Sequence, residues 1–419
     1  MKTVSIIGLG NRGTEYMRIA KTLCSRLVKI NAICDISPQA IEDFAPIYKI
    51  RKENCFYSTD EFFARGKISD AVFICTQDRS HYEIGKRAIE LGYDILMEKP
   101  VSDSISECIE LRDLAEKHKV KLVVCHVLRY SNYYRKIKQA IRDGLIGKPL
   151  MINHTENVAY FHFAHSYVRG NWRSSETSTP SLLAKCCHDL DLIQWFADSE
   201  CVSVSSYGSL SAFTSENAPE GAADRCVDCK VKNCPYNAVN LYIKDPFWKA
   251  KFIKYMTRTL TGKRGAGKKL VKKAIYEGDY GRCVYKCDNN VCDHQVIAMQ
   301  FENGLTATHT LNAFSDKMMR ESHITGTKGE LIGYDKKLKL NIFGGKKKTL
   351  SRLGALPGHV EADIRTVIAF CKLINGELDD KVLSDVTFIS DTIASHQIVM
   401  AAEKSRLNGG IPVDPRTIL

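Results

Sequence analysis

The chain has 419 residues, 44% hydrophobic and 26% charged, which suits two domains with substantial cores and excludes fibrous and disordered classes. No apolar run approaches the roughly 20 residues that cross a bilayer, so no transmembrane helix and no membrane partner are expected. The net charge of +12 is local, because ten Lys or Arg and no Asp or Glu lie between Lys249 and Lys273, leaving about +2 elsewhere. No nucleic-acid recognition motif accompanies that basic segment, and no nucleic-acid partner is expected.

The amino terminus enters a strand at once, Thr3-Val4-Ser5-Ile6-Ile7, without the charged start and cleavage site of a secretory signal, which reads as a cytoplasmic protein. Residues 1 to about 125 alternate strand-like runs (3–7, 29–34, 71–75, 94–97, 121–125) with amphipathic stretches (14–25, 81–91, 103–118). That alternation predicts βαβ units and a doubly wound parallel sheet, a Rossmann domain over 1–127. The first turn reads Gly8-Leu9-Gly10-Asn11-Arg12-Gly13, directly after a strand and opening a helix, and Asp35 ends the second strand. Glycines at that spacing let a diphosphate approach the helix amino terminus, and the acid binds a ribose diol. These residues predict dinucleotide binding. Asp35 argues for NAD over NADP by repelling a 2′-phosphate, and Arg12 is the neighbour that could offset the repulsion. Thr76 and Gln77 follow the 71–75 strand as a second loop over the cofactor. His81 opens the next helix, either as a hydrogen-bonder at the helix start or as a cofactor contact.

The run Asp94-Ile95-Leu96-Met97-Glu98-Lys99-Pro100 reads as a buried strand surfacing at its carboxyl end, where open α/β sheets place their ligands. Pro100 stops pairing and biases Lys99 to an extended conformation. A lysine held against apolar surroundings can be shifted towards neutrality and serve as a proton carrier. Tyr130 to Gly144 follows as a linking helix whose Tyr130, Tyr133 and Tyr134 are assigned to core packing. Beyond Gly147, strand-like alternation at 149–158, 202–211, 294–301, 305–313, 321–326 and 330–341, with helices at 181–197, 360–375 and 384–405, predicts an α+β domain over 128–419. Its sheet should be open and mainly antiparallel, with Glu302-Asn303-Gly304 as a hairpin turn.

With the glycine turn, Asp35, Glu98-Lys99-Pro100 and Lys185-Cys186-Cys187-His188-Asp189-Leu190-Asp191 in place, the chain resembles the glucose-fructose oxidoreductase / inositol dehydrogenase / MocA (Gfo/Idh/MocA) family over nearly its whole length. The resemblance implies that the lysine of Glu-Lys-Pro lies beside the nicotinamide, with Glu98 and Lys99 both at the cofactor. It also implies that a histidine in an Asp-x-x-x-His-x-x-Asp pattern completes the substrate site. Lys99 and His188 become the catalytic pair and Asp191 a substrate-site residue. The first Asp of the pattern is Ala184 here, which makes the neighbouring Lys185 a candidate for part of that role. Oxidising a secondary alcohol requires one group to accept the hydroxyl proton as hydride leaves, and a second donor to polarise the nascent carbonyl. Asn157, Tyr160, His162, His165, Arg169, Trp172 and Arg173 form a stretch dense in rings and donors, similar to a branch of the family that acts on sugars or glycosides, and are assigned to substrate binding. The expected activity is NAD-dependent oxidation of a sugar, glycoside or cyclitol hydroxyl. The alternatives are glycoside cleavage through transient oxidation and elimination without net redox change, and a non-catalytic dinucleotide sensor. The resemblance also implies a homo-oligomer, dimer or tetramer, through the second sheet.

Sixteen cysteines are spread along the chain, and Cys34, Cys75 and Cys125 lie in apolar runs, so most are expected to be reduced core residues. An insertion at about 214–290 is the exception. Cys226, Cys229 and Cys234, with Cys283 or Cys287 as the fourth ligand, have the spacing of a structural zinc site, with free buried thiols and redox chemistry as the alternatives. Gly262 to Lys269 nearly matches a phosphate-binding P-loop, but Lys269 stands where Ser or Thr should bind magnesium. That stretch is assigned to a solvated helical face or a subunit contact.

Overall fold

The computed structural model describes residues 1–244, 258–263, 266–334, 337–351 and 360–419. The start of the basic run and the centre of the P-loop-like stretch therefore lie outside the described residues.

Six parallel strands form the first sheet in the order β3-β2-β1-β4-β5-β6: β1 Lys2–Ile7, β2 Val28–Cys34, β3 Cys55–Phe56, β4 Ala71–Ile74, β5 Asp94–Met97 and β6 Leu122–Val124. Strands β4 and β6 are buried at every position, as a sheet covered on both faces requires. Helices α1 (Asn11–Leu23), α2 (Pro38–Tyr48), α3 (Thr59–Ala64), α4 (His81–Glu90) and α5 (Ile105–His118) cover it. The sequence reading left α2 unassigned. Ser37 caps it by accepting from the Ala40 N–H, with Pro38 in the first turn, while Pro46 near its end masks the helical pattern.

The second sheet has eight strands in the order β14-β13-β12-β11-β7-β10-β9-β8 and is antiparallel apart from the central β7–β10 pair. They are β7 Pro149–Ala159, β8 Cys201–Ser209, β9 His294–Phe301, β10 Thr306–Ser315, β11 Met319–Gly326, β12 Gly329–Tyr334, β13 Lys337–Ile342 and β14 Lys347–Ser351. The single strand expected at 330–341 is thus the hairpin pair β12 and β13, and β14 extends the sheet beyond them. Strand β9 alternates exposed and buried residues throughout, so one face packs and the other is open. On the packed face lie α6 (Asn132–Arg142), the short α7 (Tyr160–Phe163) with its π-helical continuation Ala164–Arg169, and α8 (Ser181–Ala197). Tyr130, Tyr133 and Tyr134 are buried, as their packing assignment required.

The Val360–Asn375 helix follows the second sheet in sequence but packs into the core of the first, with Phe370 edge-on to Phe73 at 5.6 Å. The Ile389–Leu407 helix then contributes Ile389 and Ile393 to the first domain's core and Ile398 to Ala402 to the second's. The second of these helices thus packs into the cores of both domains.

Candidate active site

Strand β1 ends at Ile7, and the chain turns through Gly8 at φ +92°. A Cβ there would meet the Cys75 carbonyl oxygen at 2.5 Å, and one on Gly13 would meet the Gly8 carbonyl oxygen at 1.9 Å, so both positions demand glycine. Gly10 caps α1 and a Cβ there would meet nothing within 4 Å, which leaves open space before the first N–H groups of the helix. This is a cradle that a diphosphate fits. Asp35 closes it on the β2 side, accepting from the Leu9 N–H at 2.5 Å and the Ser37 N–H at 2.8 Å.

Arg12 does not face that opening with its charge. Its Nε donates to Glu98 at 2.7 Å and its two Nη atoms to Asp363 at 2.8 and 2.7 Å, with a further bond to the Tyr16 hydroxyl. Tyr16 in turn donates to Glu98 at 2.6 Å. Burial pushes the Glu98 carboxyl up, yet the Arg12 charge and these hydrogen bonds outweigh it and hold Glu98 below the usual carboxylate range. Glu98 and the Arg12 side chain therefore form a strut beneath the cofactor wall. On the far loop, the Thr76 hydroxyl accepts from Ser80 and the Gln77 carbonyl accepts from the same hydroxyl. His81 is buried with its ring nitrogens 2.6 and 3.2 Å from the carbonyl oxygens of Pro100 and Thr76, which matches the hydrogen-bonding role at a helix start.

Lys99 reaches across the cleft. Its Nζ donates to the Ala184 carbonyl on α8 at 2.5 Å, one helical turn before His188. The His188 ring is buried and meets His126 edge-on at 5.9 Å, and His126 meets His396 the same way at 5.9 Å. Burial, helped by the charges of Arg129 and Lys99, holds His126 well below the usual histidine range, so it is neutral. Lys185 pairs with Glu156 at 3.0 Å, and Arg320 joins Glu156 at 2.8 Å to Asp189 at 2.7 Å. His154 completes this buried chain at 2.8 Å from Asp189. Half-buried His162 lies close enough to feel Lys185, and burial first, then that charge, lowers its pKa well below the ordinary value. His126, Glu156, Asp189 and Arg320 were absent from the sequence-derived site. The strand residues among them read as ordinary polar positions, and His126 as the end of a strand.

Several proposed substrate residues are committed elsewhere. His165 stacks on Tyr280 at 4.6 Å and bonds the Tyr242 hydroxyl at 3.0 Å. Arg169 donates to the carbonyls of Arg282 and Tyr236, both at 2.8 Å, and Arg173 pairs with Asp288 at 3.1 Å. All three anchor the insertion. The Trp172 indole donates to Asp78 at 3.2 Å and so joins the second domain to the loop after β4. Asp191 is held by both arms of Arg129 at 2.7 and 2.8 Å, Asn157 bonds Glu321 and Asn312 within the sheet, and Tyr160 packs edge-on to Phe161 and Tyr236.

The metal expectation is corrected. Cys226, Cys229, Cys234 and Cys283 line one small cavity with Arg169, but no group of three ligating side chains among the described residues is arranged to hold an ion. The Arg169 guanidinium donates to the Cys226 sulfur at 3.4 Å, and Cys287 donates to the Cys283 carbonyl at 3.2 Å. Burial raises the Cys234 and Cys283 thiols and pushes Cys287 up to about 11, which favours neutral thiols. All sixteen cysteines are free.

The oxidoreductase family model for an NAD-binding Rossmann fold (Gfo/Idh/MocA) matches residues 2–126, and that family's C-terminal alpha/beta domain matches residues 138–354. A Bacillus subtilis (strain 168) protein named as an oxidoreductase, YteT, is 24% identical over 344 residues, 79% of this chain and 76% of that one. An inositol 2-dehydrogenase/D-chiro-inositol 3-dehydrogenase of Shouchella clausii (strain KSM-K16) is 24% identical over 200 residues, 47% of this chain and 53% of that enzyme, so the match spans about half of its length. The crystal structure of an inositol dehydrogenase homologue from Azotobacter vinelandii, complexed with NADH and myo-inositol, has the same fold. It superposes with a TM-score of 0.70 at 16% identity, over 98% of this chain and 97% of that one.

Proposed function

The chain belongs to the Gfo/Idh/MocA family of NAD-binding oxidoreductases, and we propose that it oxidises a secondary hydroxyl of a sugar, glycoside or cyclitol. The observation that supports this reading is the Lys99 Nζ bonded to the Ala184 carbonyl of α8, one turn before His188, which sets the lysine against the helix that carries the histidine. When bound, NAD supplies the hydride acceptor at the nicotinamide. The chain supplies the rest. The N–H groups of Asn11 and Arg12 bind the diphosphate, Asp35 orients a ribose, and Thr76 and Gln77 close the far side. Lys99 and His188 take the hydroxyl proton and polarise the forming carbonyl, while Lys185, set by Glu156, and His162 face the substrate. Asp35 makes NAD the cofactor, since Arg12 is engaged by two carboxylates and has no charge left to offset a 2′-phosphate. The related enzymes named for inositols support a polyol substrate class.

Redox-neutral glycoside cleavage is the second reading. It gains support from an insertion side chain, Arg258, seated on the glycine turn, an arrangement suited to a cofactor that stays bound. The two separate in one experiment: enzyme, NAD, and a panel of cyclitols, free sugars and aryl glycosides, with cofactor absorbance and product mass read together. NADH accumulation supports the dehydrogenase, and sugar release without NADH supports cleavage. NAD binding with neither outcome across the panel would leave a sensor. Lys99→Met should bind NAD as before and lose about 100-fold or more in turnover; unchanged turnover would remove Lys99 from the chemistry.

A homo-oligomer through the open face of the second sheet is part of the proposal. Exposed Met151, Val296 and Tyr334 on that sheet support it. No described helix is long and apolar enough to cross a membrane. Sixteen unpaired cysteines support a reducing, cytoplasmic setting.

A further inference from the structure

The glycine turn is covered from a distance in sequence. Arg258, in the insertion, donates to the Leu9 carbonyl, to the Gly10 carbonyl at 3.3 Å and to the Thr14 hydroxyl at 3.1 Å. Its guanidinium also lies 4.9 Å from the centre of the Phe44 ring on α2. Beside it, the Asn11 side-chain amide donates to the Thr259 hydroxyl at 3.3 Å. Leu260, buried with Phe161, Leu241, Val271 and Ile275, fixes this segment in the insertion's own small core. The contacts therefore link the insertion's packing to Leu9, Gly10, Asn11 and Thr14, the residues that bracket the N–H groups expected to hold a diphosphate.

The turn's own arginine cannot serve that diphosphate, because Arg12 is held by Glu98 and Asp363. Arg258 brings a second guanidinium to the same place. A guanidinium bonds phosphate oxygens through parallel N–H donors, and such charge-assisted bonds are roughly twice as strong as bonds to neutral carbonyls. A diphosphate at the start of α1 would offer Arg258 charged oxygens in the place where it now meets the carbonyls of Leu9 and Gly10.

We propose that Arg258 is a cofactor-binding residue that pairs with the dinucleotide diphosphate, and that the segment 258–263 retains the cofactor between turnovers. This rests on the reading of Gly8 to Gly13 as the NAD turn. The net effect is slow cofactor release, which suits a cofactor regenerated within one catalytic cycle.

The test compares NAD, ADP and adenosine binding by calorimetry, and NAD dissociation by stopped flow, in the full chain and in Arg258→Ala and Arg258→Lys. NAD and ADP should weaken about 10- to 100-fold in Arg258→Ala, mostly through faster dissociation, with adenosine within about twofold and Arg258→Lys intermediate. Equal weakening of ADP and adenosine would mean a structural clamp and overturn the proposal, as would unchanged NAD affinity in both variants. Should the unmodified chain bind neither NAD nor ADP, the dinucleotide reading itself falls. A drop in unliganded melting temperature confined to Arg258→Ala leaves Arg258→Lys to decide, with wild-type ADP affinity there counting against the phosphate contact.

Discussion

Replacing Arg12 with methionine separates a structural arginine from a cofactor-reading one. The Glu98 and Asp363 side chains are 8% and 3% exposed, and Arg12 is the cation bonded to both. Burial pushes the Asp363 carboxyl up, and the Arg12 charge and hydrogen bonds offset only part of that rise. Methionine keeps much of the apolar stem but leaves two carboxylates facing each other in the interior. Breaking a buried pair by removing one partner costs about 3–5 kcal/mol. At about 2–4 °C per kcal/mol for a domain of this size, thermal unfolding without NAD should fall by roughly 6–20 °C. Adding Asp363→Asn should recover part of the loss, because one of the two stranded charges is then gone. Circular dichroism on the three proteins reads this directly. A fall of about 2 °C or less, coupled to a changed preference between NAD and NADP, would refute the reasoning and return Arg12 to the cofactor.

The buried imidazoles give stability a pH dependence. Burial lowers His165, His309 and His396 to about 3 each, so they stay neutral in the fold while the unfolded chain titrates near 6.5. Above that pH neither state binds the protons and stability is fully present. As pH falls from about 6.5 to 5 the unfolded chain gains them alone, at about 1.4 kcal/mol per unit and imidazole, a loss of roughly 6 kcal/mol that denaturant midpoints should show. A flat profile across that window would count against neutral burial. Gly13→Ala should abolish the rise in melting temperature that saturating NAD gives, since the added Cβ falls 1.9 Å from the Gly8 carbonyl oxygen. Val296→Lys, on the open face where Val296 is 48% exposed, should reduce the light-scattering mass to that of one chain. If the unmodified protein is already a monomer, the oligomer proposal is wrong.

Much of the fold was legible because its signals are local. Fully buried runs such as Ala71–Ile74, the glycine turn and the helix carrying His188 announce themselves over a few residues. What the sequence does not display is the remote partner. The run expected as one strand at 330–341 is two, Gly329–Tyr334 and Lys337–Ile342, paired antiparallel. His165, Arg169 and Arg173 have the ring and donor density of a sugar site, and in the fold they bond an insertion up to 115 residues away. Glu156 and Arg320 look like unremarkable strand residues until β7 and β11 pair and set Arg320 directly opposite Glu156 in register.

That pairing also explains how the cleft keeps its shape. The cofactor wall is held by Arg12, Glu98 and Asp363, which tie α1 and β5 to the Val360–Asn375 helix. On the second domain's side, Lys185, Glu156, Arg320, Asp189 and His154 tie α8 to β7 and β11. The two networks share no residue. Direct hydrogen bonds between the two sides include Lys99 on Ala184, Trp172, Ser178 and Thr179 on Asp78, Arg79 on the Ser175 carbonyl, and the Val101 N–H on His396, beside the shared packing of the Ile389–Leu407 helix. Each network orients the side chains on its own side, while the cluster of donors on Asp78 and the helix shared by both cores set the two sides against each other. On the proposed function, a hydroxyl bound by Lys99 would take the place of the Ala184 carbonyl, so substrate binding would exchange this one inter-domain hydrogen bond and leave those on Asp78 in place.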